Sequence, residues 1–228
     1  MSPVVAQREA EARTIIGESR WPPVAAVLGF MVLNIAVRIW LPREAVFRGN
    51  WMVPAVEAVL LVVLLANDLS SPSERRRAHR LALVLVGLLV AAALWATGLL
   101  VHDLIKGTKV SNDPSELLAA GAIVWLGNNL AFGLLYWLID GGGPMARLRH
   151  HGPVDFAFTQ QLSPEVMPPG WRPVFLDYMH LGFTNATAFS PADVIPLTLR
   201  AKYTMVAQST ISLALFGLVV ARAVNAFT

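Results

Sequence analysis

One stretch near the carboxyl end, GFTNATAFSPADVIPLT at 182–198, holds the side chains of this chain that are best suited to chemistry. Hydroxyl and carboxylate groups stand there at Thr184, Thr187, Ser190 and Asp193. The composition of this stretch suits an ordinary surface loop, but its position between two strongly apolar segments makes it a candidate polar site.

Two further pairs of titratable residues could do chemistry. Asp177 and His180 stand three residues apart in the amphipathic run PVFLDYMHL and would share a helix face. Such a pair could relay protons or sense pH; the reading we favour is a hydrogen bond that anchors the helix to its neighbour. Arg38 and Glu57 lie in apolar runs and could form a polar pair inside the membrane, unless both lie near its edge and reach the headgroups.

The remaining candidates for catalysis or metal binding are weak. His150, His151 and Asp155 could suggest a metal site, but adjacent side chains in a loop rich in Gly and Pro converge poorly on one ion. The chain has no Cys, no phosphate-binding glycine loop and no nucleophile at a recognisable spacing from a base. We therefore expect no enzyme activity, no catalytic residue, no metal and no cofactor.

The composition predicts an all-α integral membrane protein. Hydrophobic residues make up 55% of the 228 residues and charged residues only 14%, whereas a soluble domain carries about 25% charged residues. Several runs of roughly 20 residues are almost free of charge, which is the length that a helix needs to cross a bilayer. The net charge of +3 lies mainly in short loops, so the expected partner is membrane lipid and not nucleic acid. We expect a multi-pass protein of the cell (inner or plasma) membrane.

The apolar runs give an order of elements. They predict four transmembrane helices at 21–40, 51–66, 81–101 and 115–139, a short helix at 173–186 and a last transmembrane helix at 199–226. The basic residues of 67–80 are expected in a loop, and 187–198 is expected to be irregular. The resulting units are a polar interfacial segment at 1–20, a four-helix transmembrane region at 21–139, a polar connection at 140–172 and a carboxyl-terminal module at 173–228.

The polar stretch between two apolar segments predicts a re-entrant loop. Irregular backbone at membrane depth survives only where protein buries it or where it lines water. One loop cannot enclose such a cavity, so we expect a homo-oligomer, most simply a tetramer. The alternative is that 173–189 crosses the membrane outright and 190–198 is an ordinary loop.

The distribution of basic residues bears on the orientation of such a loop. They gather in 1–20, 75–80 and 140–172, which places the amino terminus in the cytoplasm. A re-entrant loop would then enter from the cytoplasmic side, whereas an outright crossing returns the carboxyl terminus to the cytoplasm. A third alternative is that the whole protein has the opposite orientation, against the charge rule.

The carboxyl-terminal module also resembles a known architecture. From Asp177 the chain reads DYMHLGFTNATAFSPADVIPLTLRAKYTMVAQSTISLALFGLVVARAVN, which is similar to the pore module of the tetrameric potassium-channel superfamily. FTNAT stands at the end of the pore helix, Asp193 and Pro196 follow the filter, and ARAVN resembles the end of the inner helix. The layout of the whole chain is similar to that of a family of uncharacterised bacterial polytopic membrane proteins. The resemblance implies a pore helix, a filter loop and an inner helix at 173–228.

The filter departs from that family. The positions that correspond to Thr-Val-Gly-Tyr-Gly are here Ala188, Phe189, Ser190, Pro191 and Ala192. Both glycines, which allow a left-handed backbone at little cost, are replaced, and Pro191 fixes φ and lacks an N–H. The resemblance therefore implies ion permeation through a filter that is not of the potassium type, along a path lined by Thr184, Thr187, Ser190 and Asp193. The alternative is a non-conducting membrane scaffold or accessory subunit that retains a pore-like fold.

Overall fold

A computed structural model describes residues 21–40, 52–65, 72–106, 114–149, 153–163, 165, 171–187 and 193–227. Its helices are α1 (Trp21–Trp40), α2 (Met52–Leu65), α3 (Pro72–Lys106), α4 (Pro114–Ile139), α5 (Pro144–Arg149), α6 (Thr159–Leu162), α7 (Phe175–Thr187) and α8 (Leu199–Phe227). A 3-10 turn (Asp140–Gly142) follows α4, and two short strands are β1 (Phe156–Phe158) and β2 (Val194–Pro196). The predicted interfacial segment 1–20 lies outside the described residues.

Three of the described helices are long and apolar enough to cross a membrane. The apolar stretches are Arg76–His102 in α3, Leu118–Gly142 at α4 and Leu199–Ala221 in α8, with 27, 25 and 23 residues. In α1 and α2 the apolar stretches Trp21–Ile35 and Val53–Val63 are shorter. The chain is therefore helical and has the composition of a membrane protein, while four spanning helices before the connection remain a prediction.

Helix α3 begins earlier than the sequence predicted. The basic stretch assigned to a loop up to residue 80 is instead the first part of the helix, which starts at Pro72. Proline suits the first helical position, where N–H groups have no partner, and Glu74 in the first turn favours the amino-terminal end. Because Arg is a good helix former, the helix continues beyond the stretch that hydropathy detects.

Helix α4 lies at the centre of the described fold and contacts α1, α3, α7 and α8. Of its most apolar stretch 61% is buried, against 33% for α3 and 28% for α8. Its side chains Phe132, Leu134 and Tyr136 are almost fully buried. A helix that is apolar on all sides is expected at such a position.

The connection after α4 contains a strand pairing that the sequence did not predict. Strands β1 and β2 are antiparallel, with Phe156 opposite Pro196 and Phe158 opposite Val194. All three residues of β1 are buried. The described chain is otherwise helical, as expected, and this small ladder joins the connection to the segment immediately before α8.

Candidate functional site: the α7 segment

The α7 segment is helix α7 together with the chain that leads from it to α8. Helix α7 packs antiparallel to α4. Near its start, the ring of Phe175 lies 5.7 Å from that of Trp137, and near its end the ring of Phe183 lies 5.6 Å from that of Trp125. Rising numbers in α7 therefore meet falling numbers in α4. With 13 residues the helix is about 20 Å long, which is less than the ~30 Å of hydrocarbon in a bilayer.

Helix α8 begins at the carboxyl end of α4, which is also the end at which α7 begins. The carboxylate of Asp193 lies 3.1 Å from Nε2 of His180, in the middle of α7. Strand β2 then pairs with β1, and Arg200, in the first turn of α8, donates to the backbone oxygen of Ile139 at 3.2 Å. The start of α7 and the start of α8 therefore lie beside the carboxyl end of α4.

Two glycines allow α7 and α4 to approach closely. A Cβ added to Gly182 would lie 3.2 Å from the backbone oxygen of Asn129 and 3.5 Å from the backbone nitrogen of Gly133. A Cβ added to Gly133 would lie 2.6 Å from Sδ of Met179. Small residues at a crossing let helix backbones pack against each other, which is the usual device in membranes.

A buried network of polar side chains joins α7 to α4 and α8, with Gln208 at its centre. The Oε1 atom of Gln208 accepts hydrogen bonds from the hydroxyl of Tyr136 at 2.7 Å and from Nδ2 of Asn185 at 2.8 Å. Its Nε2 donates to the backbone oxygen of Gly182 at 2.9 Å. Gln208 and Tyr136 are wholly buried, so these bonds satisfy groups that have no access to water.

Asn185 adds further contacts between α7 and α8. Its Nδ2 also donates to the backbone oxygen of Met205 at 3.0 Å, and its Oδ1 accepts from Ser209 at 3.0 Å. Gln208 is a polar residue inside the predicted last transmembrane helix, and nothing in the local sequence indicated a role for Asn185 or Tyr136. The available signal was residue type, since Tyr, Asn and Gln inside apolar helices each require a hydrogen-bond partner.

A buried carboxylate, Asp155, holds the beginning of α8. Nε and Nη2 of Arg200 donate to its two oxygens, both at 2.5 Å, and Thr198 donates at 2.5 Å. The backbone N–H of Gly141 adds a bond of 3.1 Å. Burial alone raises the pKa of Asp155, but the hydrogen bonds from Arg200 and Thr198, the charge of Arg200 and the bond from Gly141 outweigh it and hold that pKa below its usual range.

A second buried carboxylate, Asp140, holds the beginning of α7 and β1. Its Oδ2 accepts from the hydroxyl of Tyr178 at 2.5 Å. Its Oδ1 accepts from the backbone N–H groups of Asp155 at 2.7 Å and Phe156 at 3.2 Å. The backbone of the connection and the side chain of Tyr178 in α7 are therefore both fixed to the end of α4.

Two of the predicted hydroxyl residues, Thr184 and Thr187, lie near the carboxyl end of α7. The Oγ1 of Thr184 donates to the backbone oxygen of His180 and that of Thr187 to the backbone oxygen of Phe183, each at 2.9 Å. Both hydroxyl protons therefore point into the helix, which leaves the oxygen lone pairs available as acceptors. The residues of the filter-like loop, namely Ala188, Phe189, Ser190, Pro191 and Ala192, lie outside the described residues.

Asp177 and His180, which the sequence suggested as a pair, each contact a different partner. Asp177 accepts a hydrogen bond from the backbone N–H of Val174 at 2.7 Å, so it caps the first turn of α7. His180 contacts Asp193, and both side chains are partly exposed. The structure thus joins α7 to the returning chain through a residue that the sequence had placed after the filter.

For the predicted pair of Arg38 and Glu57, the structure describes only the side chain of Glu57. Glu57 in α2 is fully buried and accepts a hydrogen bond of 2.6 Å from Nδ2 of Asn34 in α1. The side chain of Arg38 lies outside the described residues, and its pairing with Glu57 stays a prediction. The amide of Asn128 donates to Thr97 at 3.0 Å across α4 and α3, which is the packing role expected for such residues.

No metal centre is formed by the part of the chain that the structure describes, in which no three His, Cys, Asp or Glu side chains converge. His150 and His151 lie outside that part. Asp155, the third residue considered for a metal, is engaged by Arg200.

A comparison of the chain with protein-family models, curated proteins and solved structures finds no match. The geometry of the α7 segment therefore carries the functional argument.

Proposed function

We propose that the chain is an ion-channel-like membrane protein, in which the α7 segment is a re-entrant pore loop of a homo-oligomer. The observation that carries this proposal is the position of α7. It is too short to cross the hydrocarbon, it is buried against α4 and α8, and β2 and α8 follow beside the end of α4 at which α7 begins. This arrangement supports a loop that enters and leaves a membrane on one side.

The polar groups at the end of α7 suit cations. The carboxyl end of a helix carries a partial negative charge of about half an elementary charge, and α7 ends within the spanning stretches, beside residues 118–125 of α4 and 215–220 of α8. The oxygens of Thr184 and Thr187 add acceptors, since their protons are used within the helix. With Ser190 and Asp193 they would line a path for inorganic cations, and 188–192 would form its constriction.

The exposed face of α8 favours an assembly of several copies, a tetramer being the simplest closed arrangement around one loop per copy. Only 28% of the most apolar stretch of α8 is buried. Its exposed positions include a row of small residues at spacings of three and four, namely Ala207, Thr210, Ala214, Gly217 and Ala221. Rows of this kind are typical of helix–helix contacts in membranes. Sister copies would shelter the irregular backbone of the loop.

Planar-bilayer recordings with the purified protein test the proposal. We expect Asp193→Asn to change the conductance or the preference for cations over anions, because it removes a charge beside the path. Glu165→Gln removes an exposed carboxylate from the connection and serves as the matched control. Absence of current in the parent protein, or identical currents in Asp193→Asn, would contradict a conducting role.

The second candidate is a non-conducting membrane scaffold or accessory subunit with a pore-like fold. The contact between Asp193 and His180 favours it, because a protonated His180 would neutralise the carboxylate that should attract cations. Light scattering of the detergent complex, together with ion flux in liposomes, separates the two candidates. A monomer or a stable oligomer without flux favours the scaffold.

A further inference from the structure

A layer of polar side chains crosses the contact between α3, α4 and α8. Asn128 in α4 and Ser212 in α8 are wholly buried, and Thr97 in α3 is almost so. Nδ2 of Asn128 donates to Oγ1 of Thr97 at 3.0 Å, and that hydroxyl donates to the backbone oxygen of Ala93 at 2.9 Å. Thr97, Asn128 and Ser212 form the Asn128 layer, which lies inside all three spanning stretches.

The contacts on either side of the layer place Ser212 opposite Asn128. One turn away, the same three helices contribute apolar side chains to one buried cluster, namely Leu100, Val124 and Leu215. In the other direction, Tyr136 of α4 donates to Gln208, which stands four residues before Ser212. Because residues three and four apart share a helix face, Ser212 faces α4 as its neighbours on that face do.

Two polar atoms of the Asn128 layer have no hydrogen-bond partner among the described residues. They are Oδ1 of Asn128 and Oγ of Ser212. Turning the amide over would only exchange the unpaired oxygen for an unpaired nitrogen, since Thr97 engages one end of the amide. Nearly all buried polar atoms in proteins are bonded to protein or to ordered water, so these two atoms indicate a bound polar molecule.

We propose that one ordered water molecule binds in the Asn128 layer and joins α4 to α8. It donates to Oδ1 of Asn128, which can only accept, and it accepts from the hydroxyl of Ser212. Its second proton can be donated to the remaining lone pair of Thr97, whose other lone pair accepts from Asn128. About three hydrogen bonds are usual for a buried water.

The chemistry of the layer favours water over other occupants. A hydrocarbon group would leave both polar atoms unpaired. An inorganic cation would exchange its hydration shell for neutral oxygens, because no residue of the layer is charged, and such a transfer is costly. Thr97 and Ser212 are also smaller than Leu100 and Leu215 at the corresponding positions of the neighbouring cluster, which favours a small guest.

The bound water acts on the packing of α8. It adds a second polar contact between α4 and α8, one turn of α8 from the contact between Tyr136 and Gln208. The site belongs to the helix bundle and not to the proposed ion path. It is therefore independent of whether the protein conducts ions.

Radiolytic hydroxyl-radical footprinting of the purified protein tests the site. Radicals that form from an ordered water oxidise adjacent side chains even when these are buried. We expect oxidation of Val124 and Leu215, next to the layer, and its loss in Ser212→Val, which removes the hydroxyl and fills the site. Val86 and Leu89 are also buried but lie more than two turns from Thr97; they should stay unlabelled in both proteins.

A double-substitution cycle of Asn128→Leu and Ser212→Ala tests the bridge independently. The two residues make no direct bond, yet the double change should shift the unfolding equilibrium about threefold less than the product of the single changes. That factor is the usual effect of one hydrogen bond between membrane helices. The matched control pairs Asn128→Leu with Tyr203→Phe, which removes an exposed hydroxyl of α8 and should be additive.

Three results would overturn the proposal. The first is oxidation of Val124 and Leu215 at no more than the level of Val86 and Leu89. The second is additivity of the two changes in the cycle. The third is coupling without oxidation, which would show a direct bond between the two side chains. The footprint of the parent protein is decisive even if the variants fail to fold.

Discussion

The substitution Gln208→Leu tests whether the buried polar network holds α7 in place. It keeps the approximate volume of the side chain and removes three hydrogen bonds of 2.7, 2.8 and 2.9 Å. Some of the partners retain weaker contacts. The Tyr136 hydroxyl still lies 3.5 Å from the backbone oxygen of Thr204, and Asn185 still donates to Met205.

The cost follows from these contacts. Hydrogen bonds between membrane helices contribute about 0.6 kcal/mol each on average, and a buried group left without its partner costs about 1–3 kcal/mol. With three bonds lost and two partners partly compensated, we expect the free energy of unfolding to fall by about 2–3 kcal/mol. That corresponds to a change of about 30- to 160-fold in the unfolding equilibrium.

Unfolding in mixed micelles by titration with SDS, followed through tryptophan fluorescence, measures this change. The control is Tyr203→Phe, which removes a hydroxyl from an exposed position of the same helix and should alter the stability by less than about 0.5 kcal/mol. A double substitution of Gln208 and Asn185 should cost less than the sum of the two single changes, because the residues share a hydrogen bond. If Gln208→Leu unfolds like the parent protein, the network does not hold α7 and the reasoning is refuted.

Three further predictions concern the packing of α7 and the two carboxylates around it. Gly182→Ala should lower stability by about 1–2 kcal/mol, since overpacking forces backbones apart, whereas Gly98→Ala in α3, with nothing within 4 Å of the added methyl group, should be neutral or stabilising in the same titration. The pKa of Asp155 is lowered in the folded state, so its contribution to the free energy of unfolding is complete above the ordinary carboxyl pKa and is lost as the pH falls below about 4. A profile of stability against pH should show this loss at acid pH, and Asp155→Asn should not show it. Asp193→Asn should change thermal stability little, since exposed ion pairs contribute at most about 1 kcal/mol; a collapse of the fold would instead show that the contact with His180 is structural.

The sequence alone determined the helices whose signals are local. The predicted limits 21–40 coincide with α1, and 173–186 and 199–226 lie within two residues of α7 and α8. These elements follow from runs of apolar residues, from prolines at the beginning of helices and from the glycines after Ile139, all of which act within a few residues. The start of α3 was wrong because hydropathy detects the apolar part of a helix and not its basic extension.

The candidate site depended on contacts that are distant along the chain. Thr184, Thr187 and Asp193 were recognised by residue type, but nothing in the local pattern indicated that Asp193 would meet His180 instead of lying free beside the filter. The same holds for Asp155, which was considered for a metal and instead binds Arg200, 45 residues away. Residue type limits the possible chemistry, whereas the partner decides which of the possibilities is realised.

Only the tertiary structure decided how the carboxyl-terminal module is held together. Tyr136, Asn185 and Gln208 come from three helices and meet because α7 is antiparallel to α4 and begins beside the start of α8. Hydropathy indicates that each side chain needs a hydrogen-bond partner in an apolar interior. It does not indicate which residue that partner is, because many pairings satisfy the same requirement. Helix formation is a local property of the chain, and the choice among helix packings depends on the close approach at Gly133 and Gly182 and on the bonds that this approach permits.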